Sequence, residues 1–447
     1  MRIGLDFGTT NSGAGCYDGR SVHLFHLDPA AEPETVMPSA LYLTRDHQAM
    51  VGRTAIDTYY QENIGRPRKL VRQYVGELEQ LYSDGMRVIE EVYSLVDEWS
   101  PGRLLRSLKS ELSGTYTSTK VFGRTYDLEE LISLILGEIR RRVENETGEA
   151  VTGVVLGRPV QFVGVGEPPA DQRAEARLHD AAMRAGFLEV SFELEPVAAA
   201  LHYELSVQEP QNILVFDFGG GTLDLTVMRV GDPAGRTIYA VGGIGIAGDQ
   251  FDRRMVEQLL LDHFGRGTTW GDDHIPFPRQ YVDALLNWRT LLQLNRSDTL
   301  RFLQNAQATG DHPGRLLALH SVIANDEGIR LYDEVERAKI GLSHSLFSLI
   351  RLKTGEINIW QPVTRSQFEM IIGDDVHAIR ACLMNTLDRS GLSVGQVDAV
   401  IRTGGSSQIP GFVSMLEEVF GAGRVVPISI FSGVTAGLAI RAASPER

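Results

Sequence analysis

Two glycine-containing segments carry residue types that bind phosphate. Residues 6–10 read Asp-Phe-Gly-Thr-Thr, and residues 217–222 read Asp-Phe-Gly-Gly-Gly-Thr. Glycine lets backbone N–H groups approach a polyanion closely, and threonine hydroxyls add further donors. The aspartate that opens each segment could hold Mg²⁺, directly or through water. These residue types therefore favour a phosphate-binding site with a divalent cation.

The two segments form a repeat within the chain. An apolar stretch precedes each one, at residues 1–5 and 213–216, and the two aspartates are 211 positions apart. Strand-like stretches also follow, at residues 12–17 and 223–230, so each segment is predicted to be a hairpin turn. A single Asp-Phe-Gly is usually only a turn. Two copies at half-chain separation indicate two related lobes, each presenting a phosphate loop to one cleft.

A third glycine turn follows another predicted strand. Gly404 and Gly405 come after the apolar stretch at residues 397–403 and before a helix predicted from residue 411 to residue 420. Paired glycines before a helix N-terminus suit the close approach of a nucleoside or a phosphate. A tight strand-to-helix turn without a ligand is the alternative.

Polar residues also share one face of a predicted helix. Glu336, Lys339 and Ser343 fall at i, i+3 and i+7 of the helix predicted at residues 333–343. They could hold ribose hydroxyls and a base edge, although an ordinary solvated face gives the same pattern. Lysine is rare in this chain, which makes each one more interesting; it occurs at Lys69, Lys109, Lys120, Lys339 and Lys353.

Two further residues stand at predicted element ends. Glu195 opens an alanine-rich helix at residues 197–201, where an acidic residue at the start could be simple capping. Pro159 follows the strand predicted at residues 151–156 and fixes the backbone at a junction between the lobes.

Other nucleotide-binding motifs are absent or weaker. No P-loop pattern GxxxxGK[ST] occurs, and no His-Arg-Asp loop precedes either Asp-Phe-Gly, which argues against a protein kinase. Residues 243–248 match GxGxxG, but residues 266–280 beyond the next helix are polar and rich in Pro and Gly instead of forming a second strand. This loop is therefore predicted to be a turn near the phosphates in the second lobe.

Zinc and disulfide sites are not predicted. His23 and His26 have HxxH spacing, but no further His or Cys is placed to complete a zinc site. Cys16 and Cys382 form no CxxC pair and are too few for a disulfide framework.

Composition sets the broad class. The chain has 447 residues, a net charge of −15, 43% hydrophobic residues and 23% charged residues, which is typical of a soluble globular protein. The negative charge argues against nonspecific binding to nucleic acid or to an anionic membrane. No apolar run reaches the roughly 18–20 residues of a membrane helix, and no secretory signal is recognised, so the cytoplasm is the expected location.

Six ordered motifs resemble a known family. The segments LDFGTTNS, VVLGRPV, ELEPVAAALHYE, VFDFGGGTLDLTV, EVERAKIGLS and RTGGSSQIP occur in the order found in the nucleotide-binding domain of DnaK-type seventy-kilodalton heat-shock chaperones. The chain looks most like the short YegD-like branch. The resemblance implies an α/β, actin-like ATPase fold with two RNase H-like lobes around a nucleotide cleft. Residues 1–205 with a closing helix at 433–447 would form lobe I, and residues 206–432 would form lobe II.

The resemblance also implies binding roles, with ATP or ADP and Mg²⁺ as ligands. The phosphates would be held by residues of both lobes, namely Gly8, Thr9, Thr10, Asn11, Gly219, Gly220, Gly221 and Thr222. Adenosine would be held by a second group, namely Glu336, Lys339, Ser343, Gly404, Gly405, Ser406 and Gln408. Pro159 matches the proline that relays nucleotide state between the lobes.

Catalytic roles are implied for five residues. Asp6 and Asp217 would orient Mg²⁺ through its water ligands, while Glu195 and Asp224 would help to position the metal and the attacking water. Lys109 would neutralise the γ-phosphate as charge develops, in a reaction carried mainly by positioning and electrostatics.

The lysine assignment has a rival. Lys109 precedes a hairpin-like stretch at residues 119–126, as the essential lysine does in relatives, whereas Arg72 is the alternative match.

The chain also departs from the family pattern. Gln408 replaces an arginine that usually stacks on adenine, and Phe431 or a close neighbour stands where an acidic residue is expected. Residues 76–107 and 266–328 are longer or different. The chain ends shortly after the closing helix predicted at residues 433–443, so no peptide-binding domain is expected in it.

The predicted function is a Mg-dependent, slowly hydrolysing ATPase that acts as a switch on an unidentified protein partner or client. A J-domain co-chaperone or exchange factor is a possible partner, and neither nucleic acid nor a membrane is expected. Two alternatives stay open. One is a small-molecule kinase of the same superfamily, for which residues 157–159 offer no aspartate base. The other is an actin-like filament or scaffold protein.

Overall fold

The computed structural model describes most of the chain, namely residues 1–66, 69–81, 87–114, 117–160, 162, 168–232, 235–287, 291, 294–355, 357–427 and 433–443. Side chains are described for these residues except 70, 72–81, 87–96 and 168–170.

Strands occur along the whole described chain. Their bounds are β1 (Arg2–Phe7), β2 (Asn11–Tyr17), β3 (Val22–Leu24), β4 (Met37–Pro38), β5 (Ala40–Thr44), β6 (Ala49–Val51), β7 (Leu70–Leu81), β8 (Arg87–Asp97), β9 (Gly102–Arg106), β10 (Ser118–Val121), β11 (Arg124–Asp127), β12 (Gly153–Arg158), β13 (Glu189–Leu194), β14 (Gln211–Phe218), β15 (Leu223–Val230), β16 (Thr237–Ile244), β17 (Thr269–Trp270), β18 (Ile275–Pro276), β19 (Phe347–Thr354), β20 (Ile357–Thr364), β21 (Ala399–Thr403) and β22 (Val425–Pro427).

The α-helices alternate with these strands. Their bounds are α1 (Arg53–Asn63), α2 (Leu128–Thr147), α3 (Pro168–Arg184), α4 (Glu195–Glu204), α5 (Gly248–Met255), α6 (Arg279–Asp283), α7 (Ser297–Thr309), α8 (Pro313–Ala324), α9 (Gly328–His344), α10 (Arg365–Ile371), α11 (Gly373–Ser390), α12 (Pro410–Phe420) and α13 (Gly433–Ala443). No helix among the described residues is long and apolar enough to cross a membrane.

The first large sheet is built around β1. Its strand order is β13-β12-β1-β2-β3, with β4 beside β2. Strand β12 runs parallel to β1 and to β13, while β2 runs antiparallel to β1 and to β3. The central strand is buried over most of its length because helices cover both faces of such a sheet.

The second large sheet repeats this arrangement around β14. Its order is β16-β15-β14-β21-β22. Strand β21 is parallel to β14 and to β22, and β15 is antiparallel to β14 and to β16. Asp6 and Asp217 hold the same place, one residue before the end of the central strand. The predicted α/β fold with two related lobes is therefore confirmed, and so are the two predicted hairpins.

The loop that matches GxGxxG is not part of a dinucleotide-binding unit. It joins β16 to α5, but β16 is antiparallel to its neighbour β15, whereas the dinucleotide motif requires parallel strands linked by a helix. The rejection of that interpretation is confirmed.

Helices α4 and α13 lie between the two sheets. A Cβ atom on Gly437 of α13 would stand 1.6 Å from the carbonyl oxygen of Ala198 in α4, and one on Gly4 of β1 would stand 2.1 Å from the backbone nitrogen of Ala439. Only glycine allows so close an approach. Apolar side chains of both helices and both sheets form one buried cluster, which joins the two halves of the molecule. The boundaries proposed for lobes I and II stay predictions.

The two stretches predicted to differ from the family form separate elements. Residues 76–107 include most of the β7–β8 hairpin and β9, and residues 266–328 include β17, β18 and helices α6 to α8. In the second stretch the ring of Phe302 stacks on those of Tyr281 and Phe277, at centroid distances of 5.0 and 6.0 Å.

Candidate functional site

A cavity of about 500 Å³ lies between the two large sheets. Every residue for which a catalytic or binding role was predicted lines it: Asp6, Gly8, Thr9, Thr10, Asn11, Lys109, Glu195, Asp217, Gly219, Gly220, Gly221, Thr222, Asp224, Glu336, Lys339, Ser343, Gly404, Gly405, Ser406 and Gln408. Pro159 lines it as well. The structure therefore brings the candidate residues together, while the role of each one stays a prediction.

The turn between β1 and β2 is closed by a backbone hydrogen bond. The N–H of Gly8 donates to the carbonyl oxygen of Asn11 at 3.0 Å. A Cβ atom on Gly8 would stand 2.2 Å from that same oxygen, so a larger residue would break the turn. The N–H of Ser39 donates to the carbonyl oxygen of Thr10 at 2.8 Å and supports the turn from the side.

The turn between β14 and β15 has the same closure. The N–H of Gly219 donates to the carbonyl oxygen of Thr222 at 3.1 Å, which matches the Gly8–Asn11 bond in spacing and direction. The hydroxyl of Thr222 donates to the carboxylate of Asp224 at 2.9 Å. The two predicted phosphate turns are thus structurally equivalent and face the same cavity.

The third glycine turn packs directly on the second one. Gly404 has a φ of +80°, a conformation that favours glycine, and a Cβ atom on it would stand 2.3 Å from the carbonyl oxygen of Phe218. The hydroxyl of Ser406 donates to the carbonyl oxygen of Gly219 at 2.6 Å. The close approach of glycine predicted here is toward protein backbone as well as toward the cavity.

An ion pair lies at the centre of the cavity wall. Lys109 stands on a 3₁₀ turn at Leu108–Glu111, and its Nζ donates to Oε1 of Glu195 at 2.5 Å. The two side chains are only 8% and 14% exposed. Glu195 is the first residue of α4, so the helix start directs its carboxylate into the cavity.

Four carboxylates crowd around this lysine. Burial and the nearby Glu195 raise the pKa of Asp6 to about 7 and that of Asp224 to about 7. Burial and neighbouring carboxylates, Glu195 first among them, raise the pKa of Asp217 well above its usual range. Burial alone would lower the pKa of Lys109, but Glu195 and Asp6 outweigh it and raise the pKa. When ionised, the four carboxylates carry more negative charge than Lys109 can balance, and their raised pKa values reflect this crowding.

This excess of negative charge fits a hydrated divalent cation. Carboxylate oxygens are the ligands that Mg²⁺ prefers, and Mg²⁺ usually keeps several of its waters. Within the described part of the chain, no three His, Cys, Asp or Glu side chains are grouped so that they could hold a metal directly. Contact through water, as predicted for Asp6 and Asp217, agrees with that spacing and stays a prediction.

Lys339 has a partner that the sequence patterns missed. Its Nζ donates to Oδ2 of Asp252 at 2.7 Å and to the carbonyl oxygen of Gly248 at 3.1 Å. Asp252 stands on α5, 87 positions before Lys339. The sequence around Asp252, in a helix that follows a glycine loop, does not distinguish this buried carboxylate from one on the protein surface. Ile340 and His344 also line the cavity and were not predicted.

Three further residues or pairs singled out in the sequence lie away from the cavity or outside the described structure. The side chain of Arg72, the rival of Lys109, and residue Phe431 lie outside the described part of the structure. His23 and His26 both contact one carboxylate, that of Glu146, at 3.0 and 3.4 Å. Both histidine side chains are more than half exposed and share the Glu146 carboxylate as a hydrogen-bond partner at the surface.

Comparison with known proteins decides the family. The model of the family described as "Hsp70 protein" matches residues 2–270 and 323–444. The chain belongs to the Hsp70 family. The actin-like ATPase fold of that family agrees with the two repeated sheets. The internal gap in the match, residues 271–322, lies within the stretch 266–328 that was predicted to differ, whereas the match continues through residues 76–107.

Two curated relatives are plant proteins. This Hsp70-family chain is 25% identical over 446 residues to the stromal 70 kDa heat shock-related protein, chloroplastic, of Pisum sativum. It is also 25% identical over 446 residues to heat shock 70 kDa protein 6, chloroplastic, of Arabidopsis thaliana. Each alignment covers 98% of this chain and 52% of the relative. The chain therefore spans about half the length of the curated relatives it matches.

Proposed function

We propose that this Hsp70-family protein binds Mg-ATP in the cavity between its two sheets and hydrolyses it slowly to ADP and phosphate. The observation that carries the proposal is the pair of equivalent glycine turns, at Gly8–Asn11 and Gly219–Thr222, which face one cavity. Two such turns offer backbone N–H groups to a polyanion from opposite sides. A volume of about 500 Å³ is within the usual range for small-molecule sites.

The turns would bind the phosphates and the carboxylates would hold the hydrated metal. When bound, Mg²⁺ supplies positive charge that neutralises the phosphate oxygens. Asp6 and Asp217 stand at equivalent strand ends and would accept hydrogen bonds from metal-bound waters. Glu195 and Asp224 would orient the attacking water and accept its proton.

Lys109 would stabilise the charge that develops on the γ-phosphate. Its ion pair with Glu195 holds both side chains at the cavity wall, at 2.5 Å from each other. Because phosphoryl transfer depends mainly on positioning and electrostatics, a fixed lysine at this place can act without moving. The resemblance of the sequence to the family favours Lys109 over Arg72, because Lys109 precedes the β10–β11 hairpin.

We further propose that nucleotide controls a protein partner. Helices α4 and α13 form a common buried cluster with both sheets, so closure of the cavity would be transmitted to the outer surface through them and through Pro159. A client protein, a J-domain co-chaperone and an exchange factor are the classes of partner that the family suggests. The cytoplasm stays the predicted location.

The test is ATP hydrolysis with the labelled γ-phosphate followed to its acceptor. We expect slow, Mg-dependent release of phosphate to water by the wild type. Lys109→Ala should lower the rate by about 100-fold or more, as expected for loss of one fixed charge-stabilising group. Lys120→Ala is the matched control, because Lys120 is exposed on the β10–β11 hairpin away from the cavity.

Four outcomes would contradict these assignments. Unchanged turnover in Lys109→Ala together with loss in Arg72→Ala would transfer the role to Arg72. Transfer of the label to a metabolite would establish the small-molecule kinase instead. ATP-dependent polymerisation in light scattering, without turnover, would establish the filament protein. No binding of ATP by the wild type would refute the proposal as a whole.

A further inference from the structure

Lys339, which lines the cavity, belongs to a buried ion pair whose other member, Asp252, has no role so far. The side chains of Lys339 and Asp252 are 10% and 8% exposed, and their charged atoms are 2.7 Å apart. Lys339 stands on α9 and Asp252 on α5. Burying both charges has a high desolvation cost, so removal of either partner would leave the other charge buried and uncompensated.

The pair is connected to the second glycine turn through backbone. Nζ of Lys339 donates to the carbonyl oxygen of Gly248, and the N–H of Gly248 donates at 3.3 Å to the carbonyl oxygen of Gly219. The same oxygen of Gly219 accepts the hydroxyl of Ser406. A continuous path of hydrogen bonds thus runs from Asp252 to the turn that would hold the phosphates.

The residues that form this path of hydrogen bonds are closely packed around Gly248. A Cβ atom on Gly248 would stand 3.0 Å from the hydroxyl oxygen of Ser406 and 3.1 Å from Nζ of Lys339. An ammonium group has three N–H donors, and two of those on Lys339 are used by Asp252 and Gly248. At most one donor is left for a nucleotide.

We propose that Asp252 is a positioning residue that, through Lys339 and Gly248, holds the Gly219–Thr222 turn in the geometry that binds phosphate. Lys339 then supports the phosphate end of the site, in addition to any contact with adenosine. The inference rests on the proposed function, because it concerns the same nucleotide site.

The two roles of Lys339 predict different ligand dependence. If Lys339 acts on adenosine directly, loss of its position weakens adenosine and ADP by the same factor. If the Lys339–Asp252 pair positions the turn, its removal lowers the affinity for ligands that carry a β-phosphate and leaves the affinity for adenosine unchanged.

The experiment compares ADP and adenosine binding by calorimetry in Asp252→Asn and in a matched control. The control is Asp375→Asn, because Asp375 is also buried, with its side chain 3% exposed, and pairs with Arg254 of the same helix α5 at 2.5 Å. We expect Asp252→Asn to weaken ADP by at least tenfold and adenosine by less than twofold. Asp375→Asn should change neither affinity by more than twofold.

A second variant covers the case in which Asp252→Asn does not fold, as judged by thermal unfolding. Gly248→Ala disturbs the same path, because its added Cβ would stand 3.0 Å from the hydroxyl oxygen of Ser406 and 3.1 Å from Nζ of Lys339, and it should give the same selective loss of ADP. Equal weakening of ADP and adenosine, or no weakening in the folded variant, overturns the inference while the proposed function stands. A wild type that binds neither ligand overturns both.

Discussion

A contact that joins α1 and β9 to α9, the helix whose residues Glu336 and Lys339 line the cavity, is expected to control how fast nucleotide leaves. Tyr60 of α1 donates a hydrogen bond to the carboxylate of Asp333 of α9, and Arg106 of β9 pairs with the same carboxylate at 3.3 Å. Burial and the nearby Asp333 raise the pKa of Tyr60, so its hydroxyl keeps its proton. Ile329 of α9 also packs against the apolar cluster beneath α1. Opening of the cleft would break these contacts.

The size of the effect follows from the type of bond lost in Tyr60→Phe. A hydrogen bond to a charged group contributes about 1.5–3 kcal/mol. The side chain of Asp333 is 25% exposed and keeps its pairing with Arg106, so the low end, about 1.5 kcal/mol, is appropriate. Because each 1.4 kcal/mol is a factor of ten, release of ADP should become about tenfold faster.

The assay is stopped-flow release of a fluorescent ADP analogue, chased with excess ATP. Tyr42→Phe is the control, because the Tyr42 hydroxyl shares its single proton between Oδ1 of Asn63 at 2.8 Å and Oε2 of Glu62 at 3.0 Å, both of which belong to α1 and not to α9. The control should release ADP at the wild-type rate. An unchanged or slower release in folded Tyr60→Phe would refute the reasoning, since it would mean that the contact does not resist opening.

Two further predictions concern glycines that allow close approach. Gly437→Ala places a methyl group 1.6 Å from the backbone oxygen of Ala198, so we expect a loss of about 3 kcal/mol in the free energy of unfolding, measured in urea. Gly314→Ala is its control, because nothing lies within 4 Å of that Cβ position in helix α8. Unchanged stability of the Gly437→Ala variant would contradict the packing of α13 on α4. Gly404→Ala, at φ +80° and 2.3 Å from the Phe218 oxygen, should weaken ADP tenfold or more by calorimetry, and wild-type affinity would show that this turn does not shape the site.

Much of the site could be predicted because its signals are local. In the turns at Gly8 and Gly219, the closing hydrogen bond joins residues three positions apart, so the local sequence determines that bond. Placing Lys109 beside Glu195 needed more, since the two are 86 positions apart. The resemblance to the family assigned both residues to one site, but neither that resemblance nor their spacing predicted the ion pair itself.

The contacts that could not be predicted join parts of the chain that have no common pattern. Tyr60 and Asp333 are 273 positions apart, and their meeting depends on how α1 and α9 pack across the cleft. Asp252 and Lys339 stand on different helices, and each looks like a surface charge on its own helix. No periodicity in one helix encodes the side chain that it meets on another.

The two equivalent turns show where local prediction ends. They share strand order, the place of the aspartate and the closing hydrogen bond, but their supports differ. The first is supported by the backbone of Ser39, whereas the second is supported by Gly248 and the hydroxyl of Ser406. A backbone donor is insensitive to side-chain substitution, while a hydroxyl and an ion pair are not. Substitutions in the supports should therefore affect the second turn more than the first, although the two turns have nearly the same sequence.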